Sequence, residues 1–362
     1  MSCVSENRIE KLRKILKSSD EALLITNEIN VGYFSGFHHS EGAMIITQTS
    51  TTLLVDFRYI EAAQKFAECN VICFSNGLLK SVTELCKNEN INKIYIESSN
   101  LTVARYNIYK KHFDEHSIEL DISSKLDEAI SNIRIIKSDD EFQKILKAQQ
   151  IAESAYFEVL NYIKPGVSER RIAVELEYLM KQKGAERVSF DLITITGKKT
   201  SLPHGVPGEE IICEGDFFTM DFGAVYDGYH SDTTRTVAVK NATDEMKEIY
   251  LIVLKAQLAA LDVVKSGVKC SDVDITARDI IRQAGYGEYF GHSTGHGVGL
   301  EIHEDPVVSY RSDTVLKHGM VITDEPGIYL PDKFGVRIED MLFVTDDGFK
   351  NFVTLSKELI IL

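Results

Sequence analysis

The chain reads as two domains, an α/β unit followed by an α+β unit, and three observations carry that division. Its 362 residues are long for one domain and comfortable for two. Over residues 1–134, short apolar runs alternate with helical patterns, as in an α/β layout. Over residues 135–362, amphipathic helices come in pairs separated by strands and tight turns, an α+β arrangement.

In the first domain, residues 22–26, 43–47, 52–56, 71–74 and 93–96 are apolar runs of strand length. Helical spacing predicts helices over 6–17, 59–66 and 104–113. A boundary falls at 133–137. Ser138-Asp139-Asp140-Glu141 then forms a capping-box signature, with Ser138 as the cap and Glu141 at the third helical position. Phe142, Ile145, Ala148, Ala152, Ala155, Tyr156 and Val159 keep the helical period until Pro165-Gly166. A second helix is expected over 169–183, stopping at Gly184. A third follows Thr243, with Met246, Ile249, Tyr250, Val253, Ala256 and Ala260 on one face. A fourth is expected over 273–284, ending at Gly285. Helix pair then strands, twice, suggests a weak internal duplication.

Composition narrows the function classes. With 40 basic against 55 acidic residues the net charge is −15, which argues against a nucleic-acid partner. The six cysteines lack CxxC spacing and read as reduced thiols of a cytoplasmic chain. The N-terminus turns directly into the pattern of Ile9, Leu12, Ile15 and Leu16, so no signal peptide is expected, and no apolar run is long enough for a membrane span.

The chemistry lies in the second domain. Asp221, Glu325 and Glu339 each follow apolar, strand-like stretches, where an unpaired ionised carboxylate costs several kcal/mol (about that order) to bury. Two such groups about 4 Å apart repel by roughly 4 kcal/mol at an effective dielectric of about 20. Asp221 and Asp232 flank an Asp227-Gly228 hairpin signal, so both carboxylates could face one point from adjacent antiparallel strands. Alone, two acids beside a hairpin are more often solvated. His292, His296 and His303 sit in a glycine-rich stretch (Gly291, Gly295, Gly297, Gly299) that suits a strand or loop approached closely by other backbone. His204 lies in a Pro203-containing turn, and Glu325 ends its strand before Pro326-Gly327. Alternation puts Arg337 and Glu339 on one face, with a salt bridge between them as the plainer alternative. If these acids converge, two divalent cations would balance four carboxylates, with His296 adding a neutral nitrogen.

These segments together resemble an ordered signature. Met220-Asp221-Phe222-Gly223, Ser231-Asp232-Thr233-Thr234-Arg235-Thr236, Gly295-His296-Gly297-Val298-Gly299, His303-Glu304-Asp305-Pro306, Glu325-Pro326-Gly327-Ile328-Tyr329 and Val336-Arg337-Ile338-Glu339-Asp340 resemble the pita-bread metallopeptidases, the family of methionine aminopeptidase, aminopeptidase P and prolidase. The likeness covers about residues 138–355. Ser35-Gly36-Phe37, Ser40-Glu41-Gly42 and Val55-Asp56-Phe57-Arg58-Tyr59 resemble the creatinase-type N-terminal domain of the proline-specific branch. The resemblance implies an α+β pita-bread catalytic domain over 135–362 behind a creatinase/prolidase-like α/β domain over 1–134.

It further implies the ligand set. Asp221 would chelate one ion, Asp232 and Glu339 would bridge both, and His296 and Glu325 would hold the second. A hydroxide held between the ions would attack, and Glu325 would carry the proton. His204 and His303 would polarise the carbonyl and its oxyanion, Arg337 would support the carboxylates, and His292 would line the substrate pocket. An oxygen-rich site favours manganese, with cobalt, iron or zinc able to substitute. The implied activity is Xaa-Pro aminopeptidase, with Xaa-Pro dipeptidase as the alternative, short proline-containing peptides as substrates and a homodimer as the assembly. A non-catalytic scaffold and a creatinase-like hydrolase are disfavoured, because no ligand position is altered. Two departures stand out. Asp324 replaces an apolar residue before the ligand Glu, and alternation turns it to the opposite face. Lys198-Lys199 stands where the family often has Pro-Asn.

Overall fold

A computed structural model describes residues 4–38 and 41–362, without the side chains of residues 4–6; Cys3 and Ser40 of the sequence reading lie outside the described residues. The chain divides into two compact units, Met1–Arg134 and Ile135–Leu362.

The first unit is built on a six-stranded sheet of β1 (Glu21–Ile25), β2 (Gly42–Ile46), β3 (Thr51–Val55), β4 (Asn70–Cys73), β5 (Lys93–Ile96) and β6 (Glu119–Asp121), in the order β4-β3-β2-β1-β5-β6. Its helices are α1 (Val4–Arg13), α2 (Glu28–Ser35), α3 (Ile60–Phe66), α4 (Leu78–Glu89), α5 (Val103–Asp114) and α6 (Lys125–Arg134). Strand β2 is antiparallel to β1 and β3, and the outer pairings are parallel. Ala22, Leu24, Ala43, Ile45 and Leu54 pack with Val82 and Cys86 of α4 and Tyr109 and Phe113 of α5. Leu23, Met44 and Leu53, which alternate with them, are buried too. Burial on both faces explains why these strands are continuously apolar rather than alternating.

Three helices and one strand of this unit go beyond the sequence expectation. Helix α2 begins at Asn27, whose side chain accepts from the amides of Ile29 and Asn30, and buries Asn30, Val31, Gly32, Tyr33, Phe34 and Ser35 together. A helix buried all round has no polar face, so it leaves no helical period. Helices α4 and α6 were legible, since Val82 with Cys86, and Leu126, Ile130 and Ile133, sit at helical intervals. Strand β6 is three residues long, too short for a pattern. Helix α1 stops at Arg13 rather than residue 17, because Ile15 and Leu16 donate to Leu12 and Arg13 in tighter i−3 turns.

The second unit contains α7 (Asp139–Val159), α8 (Glu169–Gln182), α9 (Asp244–Val263) and α10 (Cys270–Gln283). The capping box at Ser138 and Glu141 is formed in both directions. Thr243 caps α9, and all six residues predicted for its inner face are buried against α10 and the strands. Helix α10 starts at Cys270, three residues before the expected position. Between the helix pairs lie β7 (Arg187–Val188), β8 (Ile193–Thr196), β9 (Phe217–Phe222), β10 (Ala224–Tyr226), β11 (Tyr229–His230) and β12 (Thr233–Ala238). After the second pair come β13 (Gly295–Gly297), β14 (Glu304–Val308), β15 (Val321–Asp324), β16 (Gly327–Leu330), β17 (Phe334–Arg337), β18 (Asp340–Val344) and β19 (Phe349–Asn351). The sheet orders are β11-β10-β7, β12-β9-β8 and β14-β13-β15-β18-β19, with β16 paired to β17. Helix pair then strands occurs twice, the order that the duplication predicts.

Candidate metal centre

The β9–β12 ladder sets the first pair of acids. Thr234 lies opposite Asp221 and Thr233 opposite Phe222, which leaves Asp232 just beyond the end of β12. Between the two strands the chain detours through the β10–β11 hairpin, where Asp227 (φ 48°) and Gly228 (φ 77°) make the two-residue turn that Asp-Gly predicts. Gly223 permits the detour: a Cβ there would sit 1.8 Å from the Ser231 carbonyl oxygen. The close approach returns Asp232 to the neighbourhood of Asp221.

His296 is the middle residue of β13, and a Cβ on Gly295 would meet the Thr323 carbonyl oxygen at 2.0 Å. This is the backbone approach that the glycine run predicts. Glu325 follows the last residue of β15, its amide donating to Thr294 O at 2.8 Å. Glu339 lies between β17 and β18 and accepts from the Thr234 hydroxyl at 2.7 Å. Asp232, His296 and Glu339 each offer a ligand atom within 4.8 Å of the others. His296 Nε2 is 3.5 Å from Asp232 Oδ2 and 3.4 Å from Glu325 Oε1.

Hydrogen bonding orients the imidazole. His296 Nδ1 is 3.0 Å from Gly297 O. A carbonyl only accepts, so Nδ1 carries the proton and Nε2 keeps its lone pair toward the acids. Burial lowers the His296 pKa and so favours this neutral form. Arg337 is fixed as firmly. It donates to Asp221 Oδ2 at 2.6 Å, Thr234 Oγ1 at 3.0 Å, Tyr329 OH at 2.9 Å and Pro203 O at 3.3 Å. Its carboxylate partner is therefore Asp221, 116 positions away, and not Glu339 as alternation suggested. The reason is that Glu339 lies outside the strand, where alternation no longer applies.

The acids lack enough donors. Asp221 Oδ1 is buried with no hydrogen-bond partner among the described residues. Burial, then Asp221 and Glu325, raises the Asp232 pKa well above the usual range. Burial, then Asp232, does the same to Glu339, and burial raises Glu325 to about 8. Four ionised carboxylates against one guanidinium leave three negative charges in a buried space. An orphaned carboxylate oxygen, an imidazole lone pair and acids raised by burial and by neighbouring acids are the donor set for hard divalent cations. Asp221, Asp232, His296, Glu325 and Glu339 fit such ions.

All nine residues singled out from the sequence line one cavity of about 600 Å³. His204 lies exposed in its turn, with Gly205 N donating to Leu202 O. His303 packs edge-on to His296, ring centroids 4.4 Å apart, and burial followed by His296 and His204 lowers its pKa. His292 donates Nδ1–H to Ser293 O at 2.8 Å and accepts from Tyr329 OH at Nε2 at 2.9 Å. Both nitrogens are occupied, so His292 offers the cavity its ring surface.

Sequence reasoning missed the support around these groups. Asp274 and Arg278 pair at one-turn spacing on α10. Asp274 accepts from Thr294, while Arg278 donates to Phe290 O and His292 O, which pins residues 290–294. Such a pair usually marks a solvated helix face, so the sequence carried no signal. Tyr329 sat inside a quoted motif without a role, yet it links His292 to Arg337. Lys137 forms a buried pair with Glu304 at 2.9 Å, beside His303. Asp324 sits opposite Asp340 in the β15–β18 register and is absent from the cavity lining. Neither of its oxygens has a partner among the described residues, and burial followed by Asp340 raises its pKa well above the usual carboxylate range. Lys199 ends at Glu169 (2.8 Å) and Glu210 (3.0 Å), so the departure from Pro-Asn ties the loop before His204 to α8.

Comparison with known proteins agrees with this geometry. Residues 143–346 match metallopeptidase family M24, and residues 8–136 match the creatinase/prolidase N-terminal domain. The chain belongs to metallopeptidase family M24. It is 43% identical over 357 residues to an Xaa-Pro dipeptidase of Pyrococcus horikoshii, covering 97% of this chain and 99% of the relative. A solved Xaa-Pro dipeptidase from Bacillus anthracis superimposes with a TM-score of 0.94 at 43% identity, covering 99% of this chain and all of the other. A solved X-Pro aminopeptidase from Thermotoga maritima gives 0.89 at 35%, covering 98% of this chain and all of the other. The two-domain α/β plus pita-bread architecture and the enzyme class are those that the sequence predicts.

Proposed function

We propose that this chain is a dinuclear metal-dependent Xaa-Pro aminopeptidase, releasing the N-terminal residue that precedes a proline. The observation that carries the reading is the convergence of four underserved carboxylates and the His296 lone pair on one cavity. When bound there, divalent ions supply Lewis acidity and lower the pKa of water toward neutrality. Asp221, Asp232, His296, Glu325 and Glu339 would hold them, with Arg337 fixing Asp221 and Thr234 fixing Glu339.

The protein's own groups do the rest. Glu325, steadied by Thr323 Oγ1 at 3.2 Å, would take and return the proton. His303, held neutral by burial, and His204, on its exposed turn, would donate N–H groups to the oxyanion. An Xaa-Pro bond has no N–H, and a site acting on the carbonyl needs none. Manganese suits the oxygen-rich set. The free thiols of Cys69, Cys73, Cys86, Cys213 and Cys270 suit a reducing cytoplasm. Among the described residues no helix is long and apolar enough to cross a membrane. Family resemblance supports a homodimer.

Strict dipeptidase action is the second reading, favoured by the names of the Pyrococcus and Bacillus relatives. The cavity argues the other way. Among its described lining residues the one Lys or Arg is Arg337, which spends four of its five N–H groups within the protein. A dipeptide's terminal carboxylate would find little cationic reception there. Kinetics on Leu-Pro and Leu-Pro-Ala with the manganese-loaded chain decide between them. Cleavage of the tripeptide is expected, and its failure with Leu-Pro still cut would end the aminopeptidase assignment.

A further inference from the structure

The cavity carries one carboxylate more than the proposed ligand set uses. Asp191 lines it beside Phe190, Leu192 and Ile193, is exposed, and has no hydrogen-bond or ion-pair partner among the described residues. No cationic or imidazole group of the lining is paired with it among the described residues. Arg337 is committed to Asp221, and the nitrogens of His292 are both bonded. Two divalent ions and the Arg337 guanidinium would offset the four buried acids and an attacking hydroxide, and leave Asp191 as the unmatched negative charge of the lining.

Its setting selects a chemical class. The adjoining wall of Phe190, Leu192 and Ile193 is apolar and half-buried to buried, whereas Asp191 is exposed. A long aliphatic stem ending in a cation can lie along such a wall and place its charge at the rim, as Lys and Arg side chains do. The substrate's α-amine is a poorer match: it lies two bonds from the scissile carbonyl, and so beside the buried acids. We propose that Asp191 is a specificity-determining residue that recruits a Lys or Arg side chain flanking the scissile bond. The inference rests on the peptidase reading. Partly exposed ion pairs are weak and screened by salt, so the expected preference is about two- to fivefold, expressed in KM.

The test compares arginine with citrulline, which keeps the shape and loses the charge. Arg-Pro-Ala against Cit-Pro-Ala probes the residue before proline, and Leu-Pro-Arg against Leu-Pro-Cit the residue after it. Metal-loaded wild type and Asp191→Asn are assayed at low and high salt. An arginine preference in either pair, shrinking with salt and absent from the variant, is the expected result. A wild-type ratio of one, or a ratio that survives the substitution, overturns the proposal. Equal loss on all four peptides overturns it too, since that would put Asp191 on the α-amine or in the fold. Arg-Ala-Ala and Cit-Ala-Ala separate the two claims. If these are cut and the proline peptides are not, the Xaa-Pro reading falls while the arginine ratio is still read. Cleavage of no peptide sinks both.

Discussion

Glu97 in the first unit and Asp221, Asp232 and Glu339 in the second are buried acids in opposite situations. Glu97 is 1% exposed, and its oxygens accept from Thr26 N, Asn27 N and Asn30 Nδ2 at 2.6–2.9 Å. Burial raises its pKa, but three donors are in place and the charge of Asp127 ranks last among the causes. In the second unit Asp221 Oδ1 has nothing to accept among the described residues, burial with Asp221 and Glu325 raises Asp232, and burial with Asp232 and Glu325 raises Glu339. One acid with three donors closes a turn around α2. Several acids with too few donors form a site whose missing partners are cations. Donor supply, rather than burial, distinguishes structure from function here.

The largest expected effect breaks the second situation directly. Asp232→Asn or Glu339→Gln should lower kcat/KM by on the order of 1000-fold, about 4 kcal/mol of barrier, with far-UV circular dichroism preserved. Wild-type-like rates in either variant would remove the bridging assignment.

Arg337→Lys keeps a charge but cannot reproduce the forked contacts to Asp221, Thr234 and Tyr329. Metal affinity or turnover should fall about 10- to 100-fold, read by titration calorimetry beside initial rates. An unchanged affinity would make Arg337 dispensable to the acids.

The pH response sharpens the comparison further. Glu325 sits at about 8 in the folded, metal-free chain against an ordinary value near 4.5, so the folded state holds the extra proton between those values. Metal-free stability from this group is present below about 4.5 and is lost as pH rises through 8. Ions need the deprotonated ligands, so affinity should rise with pH by about tenfold per unit for each proton displaced. Thermal shifts at pH 5, 6.5 and 8, with and without manganese, should show a metal-induced gain in Tm that grows with pH. A constant or shrinking gain contradicts the account.

Glu97→Gln is the mild case. It puts an amide where three donors need acceptors, at a cost of about 1–3 kcal/mol of stability. Turnover per folded molecule should stay unchanged while the denaturation midpoint falls. A loss of kcat with normal stability would mean that Glu97 is not merely structural.

Much of the second unit was legible because its signals are local. The Ser138 capping box, the Asp227-Gly228 turn and the crowded Gly295 each state their own geometry. The convergence of acids was legible only jointly, since each alone reads as a solvated side chain. What stayed hidden depends on tertiary contact. Helix α2 lost its period by being buried all round. Arg337 found Asp221 through strand assembly rather than alternation. The Asp274–Arg278 support for residues 290–294 looks, in sequence, like any exposed helical ion pair.

The most direct measurement counts cations in the purified chain after chelation and re-addition of manganese, by elemental analysis with calorimetric titration. Two tightly held ions per chain in the wild type, and at most one in Asp232→Asn, are the expected result. A wild type that takes up no divalent ion, or an Asp232→Asn chain that still holds two with unchanged affinity, would contradict the claim that these acids surround a shared pair of metals.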